Sequence, residues 1–240
     1  MKNRMIHIEY FIFNAFQERC SVIWDDNGFC AFVDPGCLDR KECDSIISFV
    51  GSKGLKPVCI MLTHAHFDHI YGMSFLAKTY GIPVYLHKEE TFTIEKTNPY
   101  VCGAFGLPVP DTSIMTTVNP TGPADQNGAG AAFISEGDAI KVGSLVFEVI
   151  ETPGHTTGGV CFLEKTEKIL FSGDTIFAGA IGRTDHPGGD YDQIMKSIFE
   201  KLLHLDGEIT VIPGHGPLTD ISTERMTNPF LMPFNEPNED

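Results

Sequence analysis

The chain has 240 residues, 42% of them hydrophobic and 20% charged, with 24 Gly and 15 Pro, a globular composition rich in turns. Lys and Arg total 17 against 32 Asp and Glu, and the resulting net charge of −15 makes nucleic acid an unexpected partner, because a field of that sign repels phosphate. The seven scattered cysteines argue against a disulfide framework, no apolar run reaches the ~18 residues of a membrane span, and no signal peptide is recognisable at the start, so a cytoplasmic protein is expected.

Along the chain, Ile6 to Phe16 is rich in β-branched and aromatic residues. Cys20 to Trp24 and Phe29 to Val33 flank the turn signal Asp25-Asp26-Asn27-Gly28 and read as a hairpin. Arg40 to Gly51 has helical apolar spacing, with Lys53-Gly54 as its exit. Val58 to Thr63 is a continuous apolar run, the pattern of a strand covered on both faces. Ile70 to Tyr80 reads as a helix stopped by Gly81, and Pro83 to His87 as a short strand.

From about Glu89 to Ser135 the pattern changes. Thr121 to Ala132 reads as an exposed loop, and the whole of 96–133 as an insertion or lid-like segment of one domain spanning 1–240. Strand pairs follow at Ala139 to Ile150, around Gly143, and at Gly159 to Glu164 with Lys168 to Ser172. Tyr191 to Leu205 is an amphipathic helix with Ile194, Ile198, Leu202 and Leu205 on one face, and Ile209 to Pro213 is the last strand. The tail from Asn235 is polar and acidic and is expected to fray. This irregular mixture predicts an α/β (α+β) chain with two mixed sheets and helices outside.

Four strand-like runs each end in a turn that carries ligand-type residues. Val58 to Thr63 leads to His64-Ala65-His66-Phe67-Asp68-His69; Val146 to Ile150 leads to His155; Ile169 to Phe171 leads to Asp174; Thr210 to Ile212 leads to His215. Strands sharing a direction deliver such groups to one sheet edge. Five imidazoles and two carboxylates exceed what one tetrahedral ion takes, but they suit two borderline cations joined by a carboxylate. Such a pair lowers the pKa of a shared water and polarises the group under attack, which is hydrolytic chemistry. Any one of these histidines alone is an ordinary residue at a strand end; the His-x-His-x-Asp-His unit is what makes the reading specific. Neither GxSxG nor GxxxxGK[ST] occurs, so the common serine hydrolase and NTPase arrangements are absent.

The HAHFDH run, the TPGH at His155, the SGDT at Asp174 and the PGHGP at His215 resemble the metallo-β-lactamase superfamily in order and approximate spacing. That resemblance implies a four-layer αββα sandwich with a dinuclear site at one edge of its sheets. It implies that His64, His66 and His155 hold the first metal, that Asp68, His69 and His215 hold the second, and that Asp174 bridges. Zn²⁺ is the expected ion, with Fe or Mn as alternatives, and Asp68 and Asp174 are the expected catalytic carboxylates.

Phe177 to Asp190 and PGHGP are similar to the small glyoxalase II-like hydrolases, implying a thioester of the hydroxyacylglutathione type as substrate and a metal-activated hydroxide as nucleophile. With 25 residues following His215, no counterpart is expected for the helical C-terminal domain that supplies glutathione contacts in full-length glyoxalase II. Two alternatives share the fold: a persulfide dioxygenase-like enzyme with one iron, whose members also carry GRTD, and a metallo-hydrolase of another ester or lactone class. A β-lactamase or a nuclease is less expected. Two residues outside the ligand set are weaker candidates. Asp34 is expected either to support a ligand histidine or to form an ordinary Asp-Pro-Gly turn. Arg183 is expected to make a structural salt bridge, with buttressing the site or binding a carboxylate as the alternatives.

Overall fold

The computed structural model describes residues 5–116, 118–119 and 128–232. Among them, seven strands form a first sheet: β1 (His7–Phe13), β2 (Glu18–Trp24), β3 (Phe29–Val33), β4 (Lys56–Met61), β5 (Pro83–His87), β6 (Val118–Asn119) and β7 (Gly130–Ile134). Their spatial order is β1-β2-β3-β4-β5-β7-β6. A second sheet of six has the order β15-β14-β11-β10-β9-β8, from β8 (Ala139–Val142), β9 (Leu145–Glu151), β10 (Val160–Glu164), β11 (Ile169–Gly173), β14 (Thr210–Pro213) and β15 (Thr219–Asp220). A two-stranded ribbon, β12 (Ile176–Phe177) and β13 (Ala180–Ile181), follows β11. Both large sheets are mixed, β3-β4-β5-β7 and β11-β14 being parallel and most other pairs antiparallel.

The alternation of side chains explains why the central strands are apolar throughout. In β3, Ala31 and Val33 point between the sheets while Cys30 and Phe32 point outward. In β4, Cys59 and Met61 point inward and Ile60 outward. Val160 and Phe162 of β10 meet them across the middle, and Cys161 and Leu163 face the other way. The outer face of the first sheet is covered by α1 (Arg40–Lys53) and α3 (Met73–Tyr80), through Ile46, Val50, Leu76 and Ala77. The outer face of the second is covered by α6 (Tyr191–Ser197), its π-helical continuation Ile198–Leu202 and α7 (Ile221–Thr227). The result is the expected αββα sandwich. Each large inter-sheet side chain removed from water contributes about 1.5–3 kcal/mol.

Two expectations change in detail. The helix read over Ile70 to Tyr80 is two helices, α2 (Phe67–Ile70) and α3, broken at Tyr71-Gly72. Gly72 N donates to Pro35 O at 2.9 Å, and a Cβ there would collide with Cys37 Sγ, so the backbone is pinned against the Asp34-Pro35-Gly36 turn instead of continuing as one cylinder. The second correction concerns 96–133. Its final residues are not a loop, because Gly130–Ile134 is a buried strand parallel to β5, from Pro83↔Gly130 to His87↔Ile134. The Gly and Ala content that reads as a turn is here what lets β7 pack closely, with Ala131 and Ala132 wholly buried on opposite faces. Its beginning is helical: α4 (Glu90–Phe92), a π-helical stretch Thr93–Thr97 and α5 (Asn98–Phe105) form one continuous run. Residues 121–127, the centre of the expected loop, lie outside the described residues, as does the tail from Asn235.

Candidate metal centre

Strand direction brings the expected ligands together. β9 and β11 both run antiparallel to β10, and β14 is parallel to β11, so β9, β11 and β14 all end at one edge of the second sheet. β4 ends beside them, stitched across the sandwich by the Val160 N to Thr63 O hydrogen bond of 2.8 Å. The loops after these four strands carry His64, His66, Asp68, His69, His155, Asp174 and His215, all seven of which converge.

They form two groups. His64, His66 and His155 cluster on one side, with His66 Nδ1 2.9 Å from His155 Nε2. Asp68, His69 and His215 cluster on the other, with His69 Nε2 3.1 Å from His215 Nε2 and Asp68 Oδ2 3.4 Å from His215 Nε2. Asp174 lies between them. Its Oδ2 is 3.5 Å from His155 Nε2 and 3.6 Å from His215 Nε2, and its Oδ1 is 3.5 Å from His69 Nε2. Gly214 is required here by space, since a Cβ would strike Asp174 Oδ1 and the His69 ring.

The outward nitrogens are fixed by hydrogen bonds that leave lone pairs facing inward. His155 Nδ1 donates to Arg183 O at 2.8 Å, and His215 Nδ1 to Phe16 O at 3.0 Å. His64 Nδ1 lies 3.1 Å from Thr63 Oγ1, whose own hydroxyl donates to Asp34 Oδ2 at 2.6 Å. Asp34 Oδ2 is also 3.3 Å from His69 Nδ1, and Asp34 Oδ1 accepts from Thr63 N at 2.8 Å. Asp34 therefore stands behind both groups. It holds a positive φ of 47°, a conformation unfavourable for a residue with a Cβ, and it is buried.

The donor set fits divalent cations. Buried His64 Nε2 and Asp174 Oδ1 have no hydrogen-bond partner, although buried polar atoms ordinarily have one. Both face the space enclosed by imidazole and carboxylate donors, where a cation would take their lone pairs.

Electrostatics separate the two groups. Burial, reinforced by the neighbouring imidazoles, pushes His64 and His66 well below the ordinary histidine value. Burial also lowers His155, partly offset by Asp174. Burial opposes charge on His69 and His215 as well, but there the carboxylates of Asp174 and Asp68 outweigh it and raise both. Burial works against ionisation of Asp68, yet His69 and His215 hold its carboxyl below the usual range.

Arg183 Nε donates to Asp185 Oδ1 at 2.8 Å with both side chains exposed, its backbone carbonyl accepts from His155 Nδ1, and its positive charge adds to the lowering of His66. Several supporting residues escape sequence reasoning. Thr63 relays between Asp34 and His64. Asn14 Nδ2 donates to Asp68 O and Gly36 O, each at 3.0 Å. Buried Glu90 and Asn98 hold the His64–His66 loop from behind, through Ala65 N and Ala65 O. His186 packs edge-to-face against His66 and His155, with ring centroids 4.7 and 5.0 Å apart. Thr63, Asn14, Glu90 and Asn98 stand in no spacing motif, whereas His186 lies in the Phe177 to Asp190 segment, where its position alone makes it a rim candidate. The one available signal is a polar residue flanking an otherwise apolar or ligand-bearing run, which is too common to act on.

The metallo-beta-lactamase superfamily profile matches residues 14–215, from the turn behind Asp68 to the last expected ligand. The hydroxyacylglutathione hydrolase GloC of Haemophilus influenzae is 35% identical over 226 residues, covering 94% of this chain and 98% of that protein. Among solved structures, the B3 metallo-beta-lactamase BLEG-1 superposes with a TM-score of 0.80 at 32% identity, covering 95% of this chain and all of that one. TTHA1623, solved in a di-iron-bound form, superposes with a TM-score of 0.75 at 32% identity, covering 93% and 100%. By sequence, fold and the placement of its histidines and aspartates, the chain belongs to the metallo-β-lactamase superfamily.

Proposed function

We propose that the protein is a dinuclear metal-dependent thioester hydrolase acting on hydroxyacyl thioesters of glutathione or a similar small thiol. The observation that carries the hydrolytic reading is Asp174, whose two oxygens stand within 3.6 Å of histidines from both groups. A bridging carboxylate offsets the repulsion between two cations and fixes their separation. The substrate class is supported by the Haemophilus influenzae relative, which this chain covers to 98% of its length. A relative that carries the hydroxyacylglutathione hydrolase name is thus spanned almost entirely by a chain of this size.

In this reading His64, His66 and His155 would hold one ion, and Asp68, His69 and His215 the other. When bound, the pair supplies Lewis acidity and a lowered pKa for water. The chain's own groups do the rest. Asp68, kept ionised by His69 and His215, and Asp174 between the two groups would orient the attacking water. A thiolate leaves readily, so this reading needs no strong general acid beyond the metal site. Zn²⁺ is the ion we favour for this donor set, with iron the first alternative, given the di-iron form of TTHA1623. The seven free, buried cysteines suit a reducing compartment, and we place the reaction in the cytoplasm.

The test is a substrate panel on metal-replete protein: lactoylglutathione, a propionyl thioester, a lactone, a β-lactam and a phosphodiester, with metal content measured alongside. The highest kcat/KM is expected for lactoylglutathione. Protein carrying two ions that leaves both thioesters intact while cleaving the β-lactam or lactone overturns the thioester reading and keeps the hydrolase.

A further inference from the structure

The helical run 90–105 contains no expected ligand, yet one of its carboxylates is tied to both loops of the three-histidine group. Glu90 is wholly buried. Its Oε2 accepts from Ala65 N at 2.7 Å, and Ala65 is the residue between His64 and His66. Its Oε1 accepts from Thr156 Oγ1, next to His155, and from Gly158 N at 3.0 Å. Asn98, two turns further along the run, donates through Nδ2 to Ala65 O at 2.8 Å, so both backbone groups of Ala65 are held from the same side. The approach leaves no spare room: a Cβ on Gly158 would lie 2.8 Å from Glu90 N. Among the described residues, no hydrogen bond from this run reaches Asp68, His69 or His215, although the Cys102 thiol lies within electrostatic reach of Asp68.

We propose that Glu90 is a positioning residue for the first ion, a carboxylate clamp that sets the distance between the His64–His66 loop and the His155 loop. The inference rests on the reading that these three histidines hold one ion. Three donors from two loops converge on its two oxygens, so the clamp needs an acceptor at both. Glutamine supplies one acceptor and turns an amide NH₂ toward at least one donor, which pushes a loop away. Removing a partner behind a ligand histidine costs about 10–100-fold in metal affinity, and here the loss falls on one ion only.

The experiment measures zinc affinity on the whole chain by competition with a chromophoric chelator, with no substrate present, and records the visible spectrum of the cobalt-loaded protein. In Glu90→Gln, one of two zinc affinities is expected to fall about 10–100-fold with a changed cobalt spectrum, while the other holds. The same substitution should add little in a His155→Ala background, where the first group is already broken, and should take the remaining ion in a His215→Ala background. Equal weakening of both ions, or no weakening, overturns the inference. Should Glu90→Gln fail to fold, Thr156→Val removes a single donor at nearly constant shape. A smaller loss at the same ion supports the clamp, and unchanged affinity overturns it. Wild-type protein that binds no zinc or cobalt removes the metal reading itself, an outcome separate from a Glu90→Gln protein that matches a wild type with two ions.

Discussion

The two halves of the centre are built from the same residue types but in opposite electrostatic settings. The first half is three histidines, all buried, driven toward neutrality by desolvation and by one another. The second mixes two histidines with Asp68, borders Asp34 and Asp174, and has its histidines driven toward protonation. One half presents lone pairs at neutral pH; the other stores protons that a cation must displace. Asp174 is the carboxylate whose oxygens reach histidines of both halves, and the His64 and His69 rings also meet across the divide, their centroids 4.1 Å apart.

The largest effect is therefore expected at that junction. Asp174→Asn keeps the shape and removes the charge, so the sandwich should fold while one or both ions weaken. Activity on the best thioester should fall by more than about 100-fold, because a group in contact with the ion exceeds the 10–100-fold typical of a partner behind a ligand. Near-normal turnover with two bound ions would take Asp174 out of the mechanism and make it a turn residue beside Thr175.

Asp34→Asn comes next. Asp34 contacts His69 Nδ1 directly at 3.3 Å and reaches His64 only through Thr63, so the second ion should suffer about 10–100-fold and the first less. Chelator competition checks the order. If the first ion suffers more, the Thr63 relay matters more than the direct contact.

Much of this was legible in the sequence because strand and ligand share one grammar. An apolar run with both faces covered ends where the sheet ends, and the polar residues just beyond, at His64, His155, Asp174 and His215, must sit at the edge. Periodicity also finds α1 and α6, because Ile46 and Val50, and Ile194 and Ile198, face a sheet. What stays hidden is set by tertiary contact. Gly130–Ile134 looks like loop because small residues serve both turns and close packing, and only the neighbour β5 decides between them. Glu90 looks like any charged residue on a helix, and nothing local says that Ala65, Thr156 and Gly158 will surround it. Arg183 shows the reverse error, a conspicuous side chain in a promising loop whose useful atom is its carbonyl oxygen.

Acidification should take the halves apart in sequence. His69 and His215 titrate above the ordinary 6.5, so in the metal-free chain their contribution to stability is complete below 6.5 and is lost as pH rises through the higher folded values. Asp68 titrates below 3.8, so its contribution is present above 3.8 and is lost as pH falls through the lower folded value. Protons thus compete for the second half at a higher pH than for His64, His66 and His155, which are all lowered. Zinc content after dialysis at stepped pH, from about 8 down to about 5, should show one ion leaving before the other. The ion retained longer should be the one that His155→Ala removes. Simultaneous loss of both would mean that Asp174 couples the halves too tightly for their surroundings to differ.

The smallest effect is expected at Arg183, and it tests whether the comparison stops at the seven ligands and the carboxylates behind them. Its guanidinium is paired with Asp185 in the open, and exposed pairs of this kind contribute little. What the first half takes from this residue is the carbonyl oxygen that accepts from His155 Nδ1, and Arg183→Ala leaves that oxygen in place. Zinc content should be unchanged, and kcat/KM for an uncharged thioester should stay within about twofold of wild type. A glutathione thioester carries free carboxylates, and the chain's net charge of −15 disfavours them at long range, so a cation beside the His155 loop would reverse that field locally. A drop confined to the glutathione substrate, appearing in KM and easing at high salt, would show that Arg183 leaves Asp185 to meet the thiol carrier. An equal small change for both substrates leaves it a surface ion pair whose backbone serves the first half.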